Sequence, residues 1–308
     1  MNSDSDEKSP AGSTPPIRTI GVLGAGTMGH GIAQVAAAAG YDVIIRDVDD
    51  ASLARGMQAI EQNLAKGVQL GKVSVDERDR TLARIKSTTE LEDFKEVDLV
   101  IEAAPEDLEL KQRLLKESEA ATGPNCVWTS NTSSLSITEI ARGAARPVNG
   151  AGMHFFNPVH LMRLVEIVVG ERSSQATIDA VREVAQRMKK EPIVVRDVPG
   201  FASSRLGVTL GLEAMRMVEQ GVASARDIDT AMELGYNHPM GPLRLTDLVG
   251  LDVRLNIAEY LHRKLGSETF RPPEILRRMV NQGKLGKKSG EGFYKWNDQE
   301  ASRKAYST

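Results

Sequence analysis

A histidine and a glutamate that lie 12 residues apart are the pair in this sequence best suited to acid–base chemistry. His154 ends one predicted strand, and Glu166 lies in the next. The chain turns between them at Asn157-Pro158, and a return of this length can place the carboxylate beside the imidazole. The imidazole could then take a hydroxyl proton while a hydride leaves the same carbon, with the carboxylate fixing the tautomer and stabilising the imidazolium. The pair favours alcohol oxidation; the alternative is a histidine merely packed in its strand.

A glycine-rich turn near the N-terminus could hold the acceptor of such a hydride. An apolar stretch ending at Leu23 runs directly into Gly24-x-Gly26-x-x-Gly29. The first glycine permits a tight turn, the second lets a pyrophosphate approach the backbone, and the third lets the next helix pack closely on the strand. The free N–H groups of that helix would face the diphosphate. The alternative is a structural turn that binds nothing.

An aspartate at the end of the next predicted strand bears on the choice of cofactor. Asp47 follows the strand at 42–46 and lies 21 residues after Gly26, where a carboxylate can bind the hydroxyls of the adenosine ribose. A carboxylate repels a 2′-phosphate, so NAD is favoured over NADP. The adjacent Arg46 could soften this preference. The sequence therefore predicts NAD as the cofactor.

A hydroxyl-rich segment, Thr129-Ser130-Asn131-Thr132-Ser133-Ser134-Leu135, follows another predicted strand. Its polar groups would cluster at a carboxyl edge of the sheet, where open α/β sheets bind ligands. The alternative is a helix cap, because Ser136 and Glu139 form a Ser-x-x-Glu capping box. Both can hold, with Ser136 as the cap and Ser133 facing the site.

The order of the elements indicates two domains. Residues 17–196 alternate apolar strands with helical stretches, which predicts an α/β fold with a Rossmann-type, mostly parallel sheet that binds NAD. The strands at 149–155 and 163–169 are joined by only seven residues, too few for a helical crossover, so this pair is predicted to be antiparallel or bent. Residues 197–308 are predicted to form a second, smaller all-helical domain. The other predicted strands are 18–23, 42–46, 98–103, 126–130 and 192–196, and the later helices are 202–220, 224–234, 243–264 and 272–281.

Composition excludes several classes of protein. Lys and Arg number 39 against 42 Asp and Glu, so the net charge of −3 gives no reason to expect a nucleic-acid or membrane-surface partner. Cys126 is the only cysteine, which rules out an internal disulfide, and no histidine cluster has the spacing of a metal site. No apolar run reaches the roughly 18 residues of a spanning helix. Residues 1–16 are polar and acidic and are predicted to be a disordered tail, with the cytoplasm as the expected compartment.

Taken together, these segments resemble the L-3-hydroxyacyl-CoA dehydrogenase family, specifically its monofunctional 3-hydroxybutyryl-CoA dehydrogenase type. The resemblance runs from about residue 18 to residue 296. In combination the motifs are very specific: GVLGAGTMGHGIA, VIEAAPEDLELK, SNTSSLSI, HFFNPVHLMRLVEI, PGFASSR, HPMGPLRLTDLVGLD and GEGFYKW. The resemblance implies NAD-dependent interconversion of an L-3-hydroxyacyl-CoA and a 3-oxoacyl-CoA, with short chains favoured. It also implies an acyl-CoA site in the cleft between the domains and a homodimer formed through the helical domain.

The resemblance also implies roles for particular residues. His154 and Glu166 match the catalytic pair, and Ser133 matches the serine that contacts the substrate 3-oxygen. Glu106 and Lys111 match residues near the cofactor. Either Lys66 or Lys72 could meet the CoA phosphates, with Lys66 preferred. The predicted catalytic residues are His154, Glu166 and Ser133; the cofactor residues are Gly24, Gly26, Thr27, Met28, Gly29, Asp47, Glu106, Lys111 and Asn131; and the substrate residues are Ser133, Asn157, Ser204 and Lys66.

One position departs from the family pattern. The family often has Asn before the Arg of its PGFxxNR motif, where this chain has Ser204 before Arg205. Serine still donates and accepts a hydrogen bond, but its reach is shorter. Two alternatives to the main interpretation remain at this point. One is oxidation of a free hydroxy or sugar acid on the same scaffold, and the other is a non-catalytic NAD-binding protein.

Overall fold

The computed structural model describes residues 16–296. The chain divides into two compact units, Met1–Val198 and Pro199–Thr308. The predicted tail at 1–16 lies outside the described residues except for Pro16, and so does the end of the predicted helical domain from 297 onward.

The first unit is built on an eight-stranded sheet with the order β3-β2-β1-β4-β5-β6-β7-β8. Neighbouring strands are parallel throughout except for the antiparallel pair β6–β7. This topology confirms the predicted α/β class, and the pair predicted to be antiparallel or bent is antiparallel. The strands are β1 (Thr19–Leu23), β2 (Asp42–Arg46), β3 (Ile85–Thr88), β4 (Leu99–Glu102), β5 (Val127–Ser130), β6 (Gly150–Phe155), β7 (Leu164–Val169) and β8 (Glu191–Arg196).

Helices pack on the sheet and bury its central strands. Every residue of β4, β5 and β6 is buried, as expected for strands covered on both faces. The carboxyl ends of β1, β2, β4, β5 and β6 meet at one edge, which we call the carboxyl edge. The helices of this unit are α1 (Gly29–Ala38), α2 (Asp50–Gln69), α3 (Val75–Ala83), α4 (Leu108–Ala121), α5 (Ile137–Ile140) and α6 (Gln175–Arg187).

The second unit is helical across the residues that the structure describes, as predicted. It has an apolar core of its own, which includes Leu212, Met215, Leu243, Leu261 and Leu276. Its helices are α7 (Ser203–Glu219), α8 (Ala225–Gly235), α9 (Pro242–Val249), α10 (Leu251–Leu265) and α11 (Glu274–Asn281).

Two element predictions were wrong. The single helix predicted at 243–264 is divided into α9 and α10 at Gly250, whose φ of 103° is incompatible with a continuous helix. Strand β3 was missed because its short sequence, IKST, lacks a buried alternating pattern.

An aspartate in α9 holds the aromatic segment near residue 296. Asp247 is fully buried and accepts hydrogen bonds from the backbone N–H groups of Phe293 and Tyr294 and from the indole N–H of Trp296 at 2.8–2.9 Å. The sequence alone favours a surface loop held by core packing of Phe293 and Trp296. The aromatic residues are only partly buried, so Asp247 supplies much of the attachment.

Replacing Asp247 with alanine is therefore expected to destabilise the helical unit by about 3 kcal/mol, since three partly buried donors would lose their acceptor. Chemical denaturation of the two proteins measures this difference. Glu213→Ala is the matched control, because Glu213 makes only an exposed ion pair with Arg216, worth about 1 kcal/mol at most. Equal free energies of unfolding for the wild type and Asp247→Ala would contradict the conclusion that Asp247 attaches the aromatic segment.

No helix in the described part of the chain is long and apolar enough to cross a membrane. Across residues 16–296 there is also no group of three or more His, Cys, Asp or Glu side chains placed to hold a metal ion. Cys126 is buried, and this burial raises the pKa of its thiol to about 11.

Candidate active site

The antiparallel pair β6–β7 brings His154 and Glu166 together. The two residues are direct partners in the strand register, so their side chains stand on the same face of the sheet. The Nδ1 atom of His154 lies 2.7 Å from a carboxylate oxygen of Glu166, and the two side chains are 8% and 0% exposed. A carboxylate at this distance favours the proton on Nδ1, so Nε2 is the nitrogen suited to exchange a proton with a substrate.

Ser133 lies in a loop at the carboxyl edge that is held by one carboxylate. An oxygen of Glu106 accepts hydrogen bonds from the Thr132 hydroxyl at 2.6 Å and from the backbone N–H groups of Ser133 and Ser134 at 3.0 and 3.1 Å. Desolvation acts to raise the pKa of Glu106, but the charge of Lys111 and these hydrogen bonds outweigh it, so the pKa lies below its usual value. Glu106 is therefore a stable anion that fixes the loop.

Asn131 connects this loop to the strand that carries His154. Its backbone N–H donates to the carbonyl of Glu102 at 2.8 Å, and its side-chain oxygen accepts from the N–H of Phe155 at 2.8 Å. Strands β5 and β6 are parallel neighbours, so Ser133 and His154 lie at the same edge of the sheet. The cofactor role predicted for Asn131 stays a prediction.

The glycine turn has the geometry that a pyrophosphate needs. Gly24 has a φ of 100°, and a side chain at Gly29 would come within 1.7 Å of the Gly24 carbonyl oxygen. At Gly26, by contrast, an added Cβ atom would meet nothing within 4 Å. Both Gly24 and Gly29 are thus required by the tight strand–turn–helix geometry, whereas Gly26 leaves the backbone accessible from outside.

The N-terminus of α1 is uncapped. Its N-cap residue, Met28, makes no side-chain capping bond, and the first turn contains no acidic residue. The exposed Thr27 precedes it. Among the α-helices described in the first unit, α1 alone lacks a side-chain cap. Apart from the N–H of His30, which donates to the Gly26 carbonyl at 3.2 Å, the backbone N–H groups of its first turn are therefore available to an anion such as a diphosphate. The caps of the other helices are Asp49, Ser74, Asp107, Ser136 and Ser174.

Asp47 lies beside this turn at the end of β2. One carboxylate oxygen accepts from the N–H of Ala25 and the other from the N–H of Val48, both at 2.7 Å. The side chain is half-buried, and each oxygen keeps a further lone pair for a ribose hydroxyl. The turn, the uncapped helix and this carboxylate together fit an adenine dinucleotide.

The carboxyl edge also holds a buried ion pair that was not predicted from the sequence. Lys111 and Glu102 are 1% and 0% exposed and lie 2.7 Å apart. The family resemblance placed Lys111 near the cofactor, a role that stays a prediction, and Glu102 was missed. A charged residue at the end of the otherwise apolar run Leu99–Ile101 was the signal that could have identified it.

The other three predicted substrate residues lie on different elements of the chain. Asn157 is exposed and follows β6, and the exposed Lys66 lies in the last turn of α2. Ser204 lies in the first turn of α7, in the second unit. Their roles stay predictions.

Comparison with known proteins agrees with this arrangement. Residues 19–198 match the family model of the 3-hydroxyacyl-CoA dehydrogenase NAD binding domain, and residues 200–296 match the 3-hydroxyacyl-CoA dehydrogenase C-terminal domain. A probable 3-hydroxybutyryl-CoA dehydrogenase of Deinococcus radiodurans is 47% identical over 90% of this chain and 99% of that protein. The mitochondrial hydroxyacyl-coenzyme A dehydrogenase of Sus scrofa is 40% identical over 91% of each chain.

A solved structure of a related dehydrogenase is also similar over most of the chain. The crystal structure of (S)-3-hydroxybutyryl-CoA dehydrogenase from Ralstonia eutropha superposes with a TM-score of 0.89 at 41% identity, covering 92% of this chain and all of that one. Fold and site together are those of an NAD-dependent oxidoreductase, which confirms the predicted cofactor. The chain belongs to the 3-hydroxyacyl-CoA dehydrogenase family.

Proposed function

We propose that this enzyme interconverts L-3-hydroxyacyl-CoA and 3-oxoacyl-CoA, with His154 and Glu166 as its acid–base pair. The observation that carries the proposal is the 2.7 Å contact between His154 Nδ1 and the buried Glu166 carboxylate, at the edge that also holds the dinucleotide turn. The preferred substrates are short, such as 3-hydroxybutyryl-CoA and acetoacetyl-CoA. The names of the relatives from Deinococcus radiodurans and Ralstonia eutropha support this choice.

Each residue of the site has a separate role in this reaction. The glycine turn, the N-terminus of α1 and Asp47 would hold the dinucleotide, which would supply the hydride acceptor for oxidation as NAD and the hydride donor for reduction as NADH. His154 Nε2 removes the hydroxyl proton during oxidation and returns it to the 3-oxygen during reduction. Glu166 orients the ring and stabilises the imidazolium that forms. Ser133 donates a hydrogen bond to the substrate 3-oxygen, and the Glu106 carboxylate holds its loop in place for this purpose.

An absorbance assay of NADH oxidation tests this function. Acetoacetyl-CoA should be reduced with a higher kcat/KM than longer 3-oxoacyl-CoA substrates, and free acetoacetate should be reduced poorly. Faster turnover of a free 3-oxo acid or sugar acid would favour the alternative on the same scaffold. No turnover of any 3-oxoacyl-CoA would contradict the proposal.

Replacing Glu166 with glutamine is expected to lower kcat by about tenfold. The neutral amide still holds the ring, but a hydrogen bond to a charged partner is stronger by roughly 1–2 kcal/mol than a neutral one, and this difference is lost when the imidazolium forms. Steady-state kinetics at saturating NADH and acetoacetyl-CoA measures the loss. An unchanged kcat would show that the carboxylate charge is not used.

Ser204, the departure from the family pattern, should have a smaller effect. If it binds the substrate, Ser204→Ala should lower kcat/KM by an amount corresponding to about 0.5–1.5 kcal/mol. Ser204→Asn, which restores the family residue, should fold and alter kcat/KM only modestly. A thermal melt of both variants excludes misfolding. Wild-type kinetics in Ser204→Ala would mean that Ser133, His154 and Asn157 hold the substrate without it.

We also propose that the protein forms a homodimer through its helical unit. Leu243 and Leu251 are fully buried in that unit, but Leu245, Leu248 and Val249 between them are 39–40% exposed. This exposed apolar surface on α9 supports an interface. Light scattering of the purified protein should give a dimer mass, and a monomer would contradict it. The cytoplasmic location stays a prediction.

A further inference from the structure

The buried carboxylate of Glu102 has no part in the reaction described above. It lies at the end of β4 and is 0% exposed. One oxygen accepts from Lys111 Nζ at 2.7 Å and from the backbone N–H of Ala104 at 2.6 Å. The other accepts from the Ser130 hydroxyl at 2.6 Å. The desolvation of two ions offsets most of the attraction between them, so stability alone is a weak explanation for this pair.

A first connection leads from Glu102 to the Ser133 loop through two charges. Lys111 Nζ lies 2.7 Å from Glu102 and 3.6 Å from the second oxygen of Glu106. The first oxygen of Glu106 accepts from the N–H groups of Ser133 and Ser134. Lys111 is thus shared between a buried carboxylate and the carboxylate that holds the loop.

A second connection reaches the same loop without Lys111. The Ser130 hydroxyl donates to Glu102 and accepts the backbone N–H of Thr132 at 3.2 Å. Glu102 therefore contacts both the end of β5, where the loop begins, and the cation beside Glu106. Both connections end at Thr132–Ser134.

We propose that Glu102 is a positioning residue for the dehydrogenation, acting on Ser133 through Lys111–Glu106 and through Ser130. This inference rests on the proposed function. Without the Glu102 charge, Lys111 would be a buried cation whose nearest carboxylate is Glu106. Glu106 would then be drawn toward Lys111 and would loosen its hydrogen bonds to the loop.

A purely structural role would have different consequences. Glu102 joins β4 to α4 through Lys111 and to β5 through Ser130, so its loss could simply weaken the sheet. In that case amide exchange would increase across all three elements. The loss of kcat would also be independent of Glu106. In a positioning role, the increase in amide exchange is confined to the loop, and the loss of kcat depends on Glu106.

The test compares Glu102→Gln, Glu106→Gln and the double variant. The readouts are kcat at saturating NADH and acetoacetyl-CoA, the NADH dissociation constant, and hydrogen exchange in a peptide containing residues 132–134. Thr129→Val is the matched control. It removes a buried hydroxyl that bonds to the carbonyl of Val100 between the same two strands, without touching the ion pair.

Glu102→Gln is expected to lower kcat by about tenfold, in line with the cost of a small displacement of a reacting group. Exchange should increase in residues 132–134, with little change in the NADH dissociation constant. When Glu106 is already glutamine, adding Glu102→Gln should lower kcat by about twofold or less. The Thr129→Val control should keep wild-type kcat and loop exchange.

An unchanged kcat in Glu102→Gln would overturn the proposal. The proposal would also be overturned if Glu102→Gln lowered kcat by the same factor in the wild-type and Glu106→Gln backgrounds. If Glu102→Gln does not fold, Glu102→Asp is measured instead. It keeps the charge but cannot reach Lys111 and Ser130 together, and wild-type kcat with wild-type loop exchange would again overturn the proposal. The activity of the wild type distinguishes a failure of the proposed function from a failure of the proposed role of Glu102. A wild type that is inactive toward acetoacetyl-CoA would refute the proposed function.

Discussion

Replacing His154 with alanine is expected to lower kcat for acetoacetyl-CoA reduction by about 100-fold or more, the usual loss when a general acid–base is removed. His154 is held against a buried carboxylate at the carboxyl edge, with Nδ1 2.7 Å from Glu166. Alanine supplies no proton donor. NADH binding should remain nearly intact, because the dinucleotide turn and Asp47 are not altered.

Steady-state kinetics and a fluorescence titration with NADH check both parts of this expectation. A thermal melt is the control for folding, since alanine also removes the ring contact between His154 and Phe156, whose centroids lie 4.6 Å apart. A turnover close to that of the wild type would remove His154 from the mechanism. A large loss of NADH binding would instead place its role in the cofactor site.

NADPH is expected to be used with a kcat/KM about 100-fold or more below that of NADH. Asp47 would meet the 2′-phosphate, and like unit charges about 4 Å apart repel by up to about 4 kcal/mol near a protein surface. Both oxygens of Asp47 already accept backbone N–H groups, which limits the movement of the carboxylate away from a phosphate.

The Asp47→Ser variant isolates the charge. This variant should lower the ratio of kcat/KM for NADH to kcat/KM for NADPH. The change should come mainly from better use of NADPH, because the repulsion is gone while a polar side chain remains. Kinetics with each cofactor at fixed acetoacetyl-CoA measures the ratio. Equal efficiency of NADH and NADPH in the wild type would refute the role of Asp47.

Features set by local sequence could be predicted well. The turn around Gly24 and Gly29 could be predicted because its backbone requirements fall within a few residues of chain. The His154–Glu166 contact could be anticipated because only a short return separates two strands of the sheet. In both cases the sequence distance limits the geometry.

Other features depend on contacts between distant parts of the chain. Glu106 meets the Ser133 loop across 27 residues, and Asp247 meets Trp296 across 49. No local pattern specifies which buried carboxylate faces which loop. The break at Gly250 was missed for a different reason, because apolar periodicity continues on both sides of a glycine whose positive φ only the structure reveals.

The most direct test of the account is a single-turnover measurement on the preformed enzyme–NADH complex. The complex is mixed with saturating acetoacetyl-CoA, and the loss of NADH absorbance is followed for the wild type and for His154→Ala. We expect rapid oxidation of bound NADH by the wild type and a rate about 100-fold or more lower in the variant. Equal single-turnover rates would contradict the central claim that His154 supplies the proton during hydride transfer.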